Sequence, residues 1–152
     1  MYYLKCAAWN IHGLFQRLGS YRSCKLDDDY FVHELSKYDI FGLIETHASS
    51  EDTIYLEGYH SHSKFRVRPD KGKRNSGGVS VFVRENLTSG VEWLQHACKE
   101  YLWLKLSKRF FGLCEDIYMC FVYFNPSNST YQPEEDVINR TPLGYLNLHV
   151  CI

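Results

Sequence analysis

Two polar side chains close short apolar runs: Asn10 follows Leu4 to Trp9, and Glu45 follows Ile40 to Ile44. Runs of this length, bounded by glycine and polar residues, read as buried strands. An amide and a carboxylate therefore stand at strand rims. Charge is expensive to take out of water, so a carboxylate at such a rim needs a cation. A lysine or arginine side chain would serve Glu45, and so would a bound metal ion. Asn10 has a plainer reading as a turn or cap residue.

A third group lies between them and the later strands. Lys64, Arg66, Arg68, Lys71, Lys73 and Arg74 crowd one glycine- and asparagine-containing loop, relieved only by Asp70. Such a cluster can hold a nucleic-acid backbone through counterion release, or can be a solvated hairpin tip. Tyr59 and Phe65 are near enough in sequence to stack on bases. Net charge is −1, so nucleic-acid affinity must come from a local patch rather than a global field.

The elements that must position these groups alternate. Leu14 to Lys25 reads as a polar loop. Asp27, Asp28 and Asp29 form a helix start, where acidic side chains suit the helix dipole, and Tyr30, Phe31, Leu35 and Tyr38 form its apolar stripe. Ser49 to Gly58 reads as a short helical or turn segment, Tyr59 to Val67 as a strand, and Lys64 to Ser76 as an exposed loop. Val79 to Val83 alternates as a half-buried strand should. Val91 to Leu94, Tyr101 to Leu106 and Ile117 to Phe124 are further strands, the last apolar throughout and so expected deep in the packing. Many strands with one or two helices imply a mixed, mostly antiparallel α/β sheet structure. The glycines of Ser76-Gly77-Gly78 are expected to let the chain turn tightly into the Val79 strand. His12 and His47 read as solvated loop residues.

At 152 residues there is room for one domain with a real core. Twelve Tyr and nine Phe favour strands. The six cysteines show no CxxC pair or metal-ligand spacing, and several sit in apolar runs where Cys packs as a small hydrophobe. That usage fits a reducing compartment, cytoplasmic or nuclear. No signal peptide and no membrane-length apolar run is evident. Oligomeric state is open.

Trp9-Asn10-Ile11-His12-Gly13, Ile44-Glu45-Thr46, Ser76-Gly77-Gly78-Val79-Ser80-Val81 and Tyr123-Phe124-Asn125-Pro126 occur in that order. Together they resemble the endonuclease/exonuclease/phosphatase superfamily, the deoxyribonuclease-I-like fold, and most resemble the apurinic-type endonuclease domain of non-LTR retrotransposons. The resemblance covers residues 3 to 136. It implies a four-layered α-β-β-α sandwich of mixed sheets, here C-terminally truncated, with a partial domain over 1–136 and an irregular tail over 137–152. It also implies divalent-metal-dependent phosphodiester cleavage in nucleic acid, DNA rather than RNA. Glu45 would hold Mg²⁺ or Mn²⁺, Asn10 would orient the phosphate, and Tyr123 would point its hydroxyl at it. Asn125 stands where the family's Tyr-x-Pro pattern has its first proline, so Tyr123 also reads as an ordinary strand aromatic. On the same resemblance Asn128 would contact substrate from the same loop.

The family's site also needs an Asp-x-Asn segment and a C-terminal Asp-His pair. After Tyr123 this sequence has one Asp, Asp136, and one His, His149, neither in a matching motif. General acid–base work needs such a group within hydrogen-bond reach. The expectation is therefore a partial endonuclease-type domain, weak or inactive. Two alternatives are a non-catalytic nucleic-acid-binding remnant using the 64–74 loop and a mobile-element fragment without selected activity. Within the enzyme class, a lipid or inositol phosphate phosphatase shares the fold, and fold alone does not fix substrate.

Overall fold

The computed structural model describes residues 3–66, 75–95 and 99–123. Along the chain these form β1 (Cys6–Asn10), β2 (Phe15–Leu18), β3 (Tyr21–Cys24), α1 (Asp29–Leu35), β4 (Ile40–Ile44), β5 (Tyr59–Lys64), β6 (Val79–Arg84), β7 (Val91–Leu94), β8 (Tyr101–Leu106), α2 (Lys108–Phe111) and β9 (Ile117–Val122). One sheet has the order β1-β4-β6-β5, a second β7-β8-β9, and β2-β3 make a separate hairpin. Among the described residues only β1 and β4 pair in parallel; the other ladders are antiparallel.

Strand alternation builds the layers. Val79, Val81 and Val83 of β6 face the second sheet and pack with Ile40, Leu102, Leu104, Leu106 and Phe121. Phe82 shares the opposite face with Phe41 and Leu43, and there they meet Leu35 of α1, with Ile11, Leu14, Leu56 and Tyr59. Each such side chain removed from water contributes about 1.5–3 kcal/mol. The result is a mixed α/β sandwich with α1 on one face of the first sheet and the second sheet on the other. Ser80 is the fully buried polar residue of β6; its hydroxyl is satisfied by Ser63 at 2.8 Å.

One glycine sets how closely the sheets approach. A Cβ at Gly42 of β4 would lie 2.2 Å from the Phe121 ring. Because side chains repeat every two residues along a strand, Phe121 seated flat on Gly42 directs Tyr123 toward the end of β4. Gly42→Ala is therefore expected to destabilise the domain by about 1–3 kcal/mol, the cost of overpacking, as a lower midpoint in urea denaturation. An unchanged midpoint would mean the sheets are not in this contact.

The structure differs from several sequence-based expectations. Residues 14–25, expected as a loop, contain the β2-β3 hairpin, in which Phe15 pairs with Cys24 across a two-residue Gly19-Ser20 turn. Gly19 adopts the left-handed conformation there (φ 65°), and the mixed polar pattern of the strands reflects their surface position. The helix starts where the acidic triplet indicates, with the Asp28 carboxylate accepting from the Phe31 N–H at 2.8 Å. Tyr30, expected in its buried stripe, is 76% exposed, because it lies one turn from Glu34 on the outer face while Phe31 and Leu35 face inward. β5 stops at Lys64 rather than Val67. β9 is not buried throughout: Ile117 and Tyr118 are exposed, and only Phe121 is core. Asn128, Arg68, Lys71, Lys73, Arg74 and the 137–152 tail lie outside the described residues. No helix among the described residues is long and apolar enough to cross a membrane.

Candidate active site

Parallel pairing of β1 with β4 aligns their carboxyl ends, with Asn10 opposite Ile44. Glu45, the next residue, thus emerges beside Asn10 at one rim, the usual position for ligands in sheets with parallel strands. Three turns are laced together there by backbone hydrogen bonds. Gly13 N–H donates to Glu45 O at 2.6 Å, Leu14 N–H to Thr46 O at 2.7 Å, and His47 N–H to Gly77 O at 2.9 Å.

The backbone at this rim is unusual. His12 (φ 46°), Glu45 (φ 58°) and His47 (φ 52°) are the non-glycine residues in the left-handed region among the described residues, and Gly13, Gly77 and Gly78 beside them also have positive φ. Each such non-glycine residue costs on the order of 1–3 kcal/mol and persists only where its surroundings over-determine it. Gly78 is required: a Cβ there would lie 2.5 Å from the Thr46 hydroxyl oxygen. The structural role expected for the glycine pair is thereby accounted for. Thr46 itself is fully buried, and its hydroxyl has no hydrogen-bond partner among the described residues.

Asn10, Glu45 and Tyr123 converge. The Asn10 side-chain oxygen accepts the His12 backbone N–H at 3.1 Å, and the Asn10 amide also hydrogen-bonds Glu45. The Tyr123 hydroxyl donates to the Glu45 carboxylate. His12 Nδ1 lies 3.3 Å from Glu45 Oε2. Partial burial alone would push the Glu45 carboxyl up, but hydrogen bonds from Tyr123, His12 and Asn10 outweigh it and hold the group below the usual carboxylate range. Burial, reinforced by the hydrogen bond to Glu45, pushes the Tyr123 phenol up to about 12. The acid therefore stays ionised and the phenol protonated over the physiological range. Beside Asn10 opens a groove of about 720 Å³ lined by Trp9, Gln16, Lys25, Tyr30 and Phe31 among others.

Tyr123 is held from behind. Arg66 and Glu100 form a buried bidentate pair, Nε–Oε1 2.8 Å and Nη2–Oε2 2.5 Å. The Arg66 guanidinium sits 4.8 Å from the centre of the Tyr123 ring, and Tyr123 N–H donates to Glu100 O at 2.9 Å. This corrects one expectation from the basic loop. Arg66 is not a solvent-facing backbone contact but a 7%-exposed residue whose charge is neutralised by Glu100. Gly77 leaves room for it, since a Cβ there would come within 2.6 Å of Arg66 Nε. Lys64, the last residue of β5, is half-buried.

Sequence reasoning passed over two residues at the rim. The ligand atoms of His12, Glu45 and His47 all lie within 4.8 Å of one another. The signal was present: each histidine follows its motif residue by two, Asn10-x-His12 and Glu45-x-His47.

Comparison with curated proteins returns no match. A family model described as the endonuclease/exonuclease/phosphatase family matches residues 7–119, which is most of the chain and includes β4, β6, β8 and all of β1 but Cys6. The chain belongs to the endonuclease/exonuclease/phosphatase family.

Proposed function

We propose that this chain is a weak divalent-metal-dependent phosphodiesterase domain acting on nucleic acid, DNA in preference to RNA. The observation that carries this reading is the convergence of Asn10 and Tyr123 on an ionised Glu45 at the carboxyl rim of β1 and β4. The donor set suits Mg²⁺ or Mn²⁺, hard ions that take one or two carboxylates and complete their shell with water. Glu45 would supply the anionic ligand. When bound, such an ion polarises a phosphoryl oxygen and stabilises the leaving alkoxide. Asn10, fixed by the His12 N–H, orients the phosphate through its amide, which both donates and accepts. Tyr123, kept protonated, offers its hydroxyl to a phosphate oxygen.

The motif order supports DNA as substrate through its likeness to the endonuclease domain of non-LTR retrotransposons. Weakness is read from the motifs: after Tyr123 the given sequence has one aspartate, Asp136, and one histidine, His149, neither in the family's Asp-x-Asn or Asp-His pattern, so these residues serve proton transfer to the leaving group poorly.

Nicking of supercoiled plasmid tests the reading. Slow conversion to the open circle is expected with Mg²⁺, none with chelator, and a further loss of about 10²-fold in Asn10→Ala, a typical cost of removing one preorganised donor. Metal-independent nicking, or nicking indifferent to Asn10→Ala, would overturn it.

A further inference from the structure

We propose that His12, Glu45 and His47 form a nitrogen-rich site for a first-row transition ion such as Zn²⁺ or Co²⁺, which competes with Mg²⁺ for the Glu45 carboxylate. The geometry carries this. All three ligand atoms lie within 4.8 Å of one another, and the His12–Glu45 pair is at 3.3 Å. A tetrahedral ion with bonds of about 2.0–2.1 Å separates its ligand atoms by about 3.3–3.4 Å. The His12 side chain is 84% exposed, which leaves its ring room to turn the rest of the way. The two imidazole rings meet edge to face, with centroids 5.4 Å apart.

The backbone supports the same grouping. The three residues are the non-glycine positions with left-handed φ among the described residues, on turns tied together through Gly13 and Gly77. The chain is bent at each of them, and the bends bring the side chains to one point. Gly13 allows that approach, because a Cβ there would sit 3.3 Å from His47 Nδ1.

Ligand chemistry selects the ion. Mg²⁺ gains little from imidazole, whereas two imidazoles and one carboxylate match borderline ions, and affinity for such sites rises along the first row from Mn²⁺ through Co²⁺ to Cu²⁺ before falling at Zn²⁺. Three protein ligands also leave an open position, as in sites that bind an exchangeable group. The site shares Glu45 with the phosphodiesterase reading but does not rest on it: an ion held here binds whether or not any phosphodiester is cut.

The test is a Co²⁺ titration of the full chain, followed by ligand-field absorption and repeated with excess Mg²⁺. One equivalent is expected to bind, with affinity reduced by competing Mg²⁺. Asparagine tolerates left-handed backbone, so His12→Asn and His47→Asn remove an imidazole without adding strain. Each is expected to weaken Co²⁺ binding by at least about tenfold, since even residues that only support a ligand cost 10- to 100-fold. His60→Ala on β5 serves as a control expected to bind as the unaltered chain does. No saturable Co²⁺ binding, or binding that His12→Asn leaves unchanged, would overturn the proposal. Because His12 is exposed, that variant is decisive even if His47→Asn fails to fold. Saturable Co²⁺ binding by a chain that fails to nick plasmid with Mg²⁺ alone would sink the nuclease reading and leave this one standing.

Discussion

Glu100→Ala is expected to destabilise the domain by about 3–5 kcal/mol, the typical cost of breaking a buried ion pair by removing one partner. Both residues are almost fully buried, and Arg66 makes two short hydrogen bonds to the Glu100 carboxylate. The variant leaves a guanidinium in the interior with its main counter-charge gone. Urea denaturation would register the loss as a lower midpoint at similar slope. Replacing both residues together, Arg66→Met with Glu100→Leu, should recover much of it, because the desolvation penalty of the pair disappears with the pair. If Glu100→Ala costs less than about 1 kcal/mol, the range of an exposed pair, the buried arrangement is wrong. The same variant removes the support behind Tyr123, so metal-dependent activity should fall in the molecules that remain folded.

Glu45→Gln is expected to lower kcat/KM for Mg²⁺-dependent nicking by about 10²–10³-fold, the range seen when one charge-stabilising group is deleted from a preorganised site. Glutamine keeps the shape and still accepts the Tyr123 hydroxyl, so the folded state should survive and the loss should report charge. The pH dependence follows from the same contacts. Partial burial works against ionisation, but hydrogen bonds from Tyr123, His12 and Asn10 hold the carboxyl below its ordinary range. A depressed carboxyl stabilises the fold above its unfolded pKa, and that contribution is lost as pH falls through the folded value. The Glu45 contribution should therefore persist at pH 5 and vanish only below about 4.3, the ordinary glutamate value. Tyr123 behaves oppositely. Its raised phenol favours the fold until pH climbs from about 10 through about 12. A Glu45→Gln variant with unaltered nicking would remove the carboxylate from the chemistry.

Much of this site is legible in the sequence because strand ends are written locally. Apolar runs closing on Asn10 and Glu45 mark two rims, and the alternation of Val79 to Val83 marks the strand that separates two cores. What local pattern cannot give is pairing. That β1 lies parallel to β4, which brings residues 10 and 45 together, is a long-range fact, and so is the seat of Phe121 on Gly42 that carries Tyr123 to the same rim. Arg66 shows the limit most clearly. Its neighbours in sequence are cations, which suggests a solvated loop, yet its partner Glu100 lies 34 residues away and draws it inside. His12 and His47 look like ordinary loop residues until the two strands are set side by side. The β2-β3 hairpin was obscured for a different reason: surface strands need few apolar residues, so a period-2 signal never develops.

We propose above all that Glu45, with Asn10 beside it, gathers a divalent cation at the rim of the sandwich. The most direct measurement is an amide NMR titration of the folded chain with Mg²⁺, because the Asn10 side-chain NH₂ reports from within the site. Saturable shifts of that NH₂ and of the backbone amides at 45–47, absent in Glu45→Gln, are the predicted result. Shifts that persist in Glu45→Gln, or a site that does not respond at all, would contradict it.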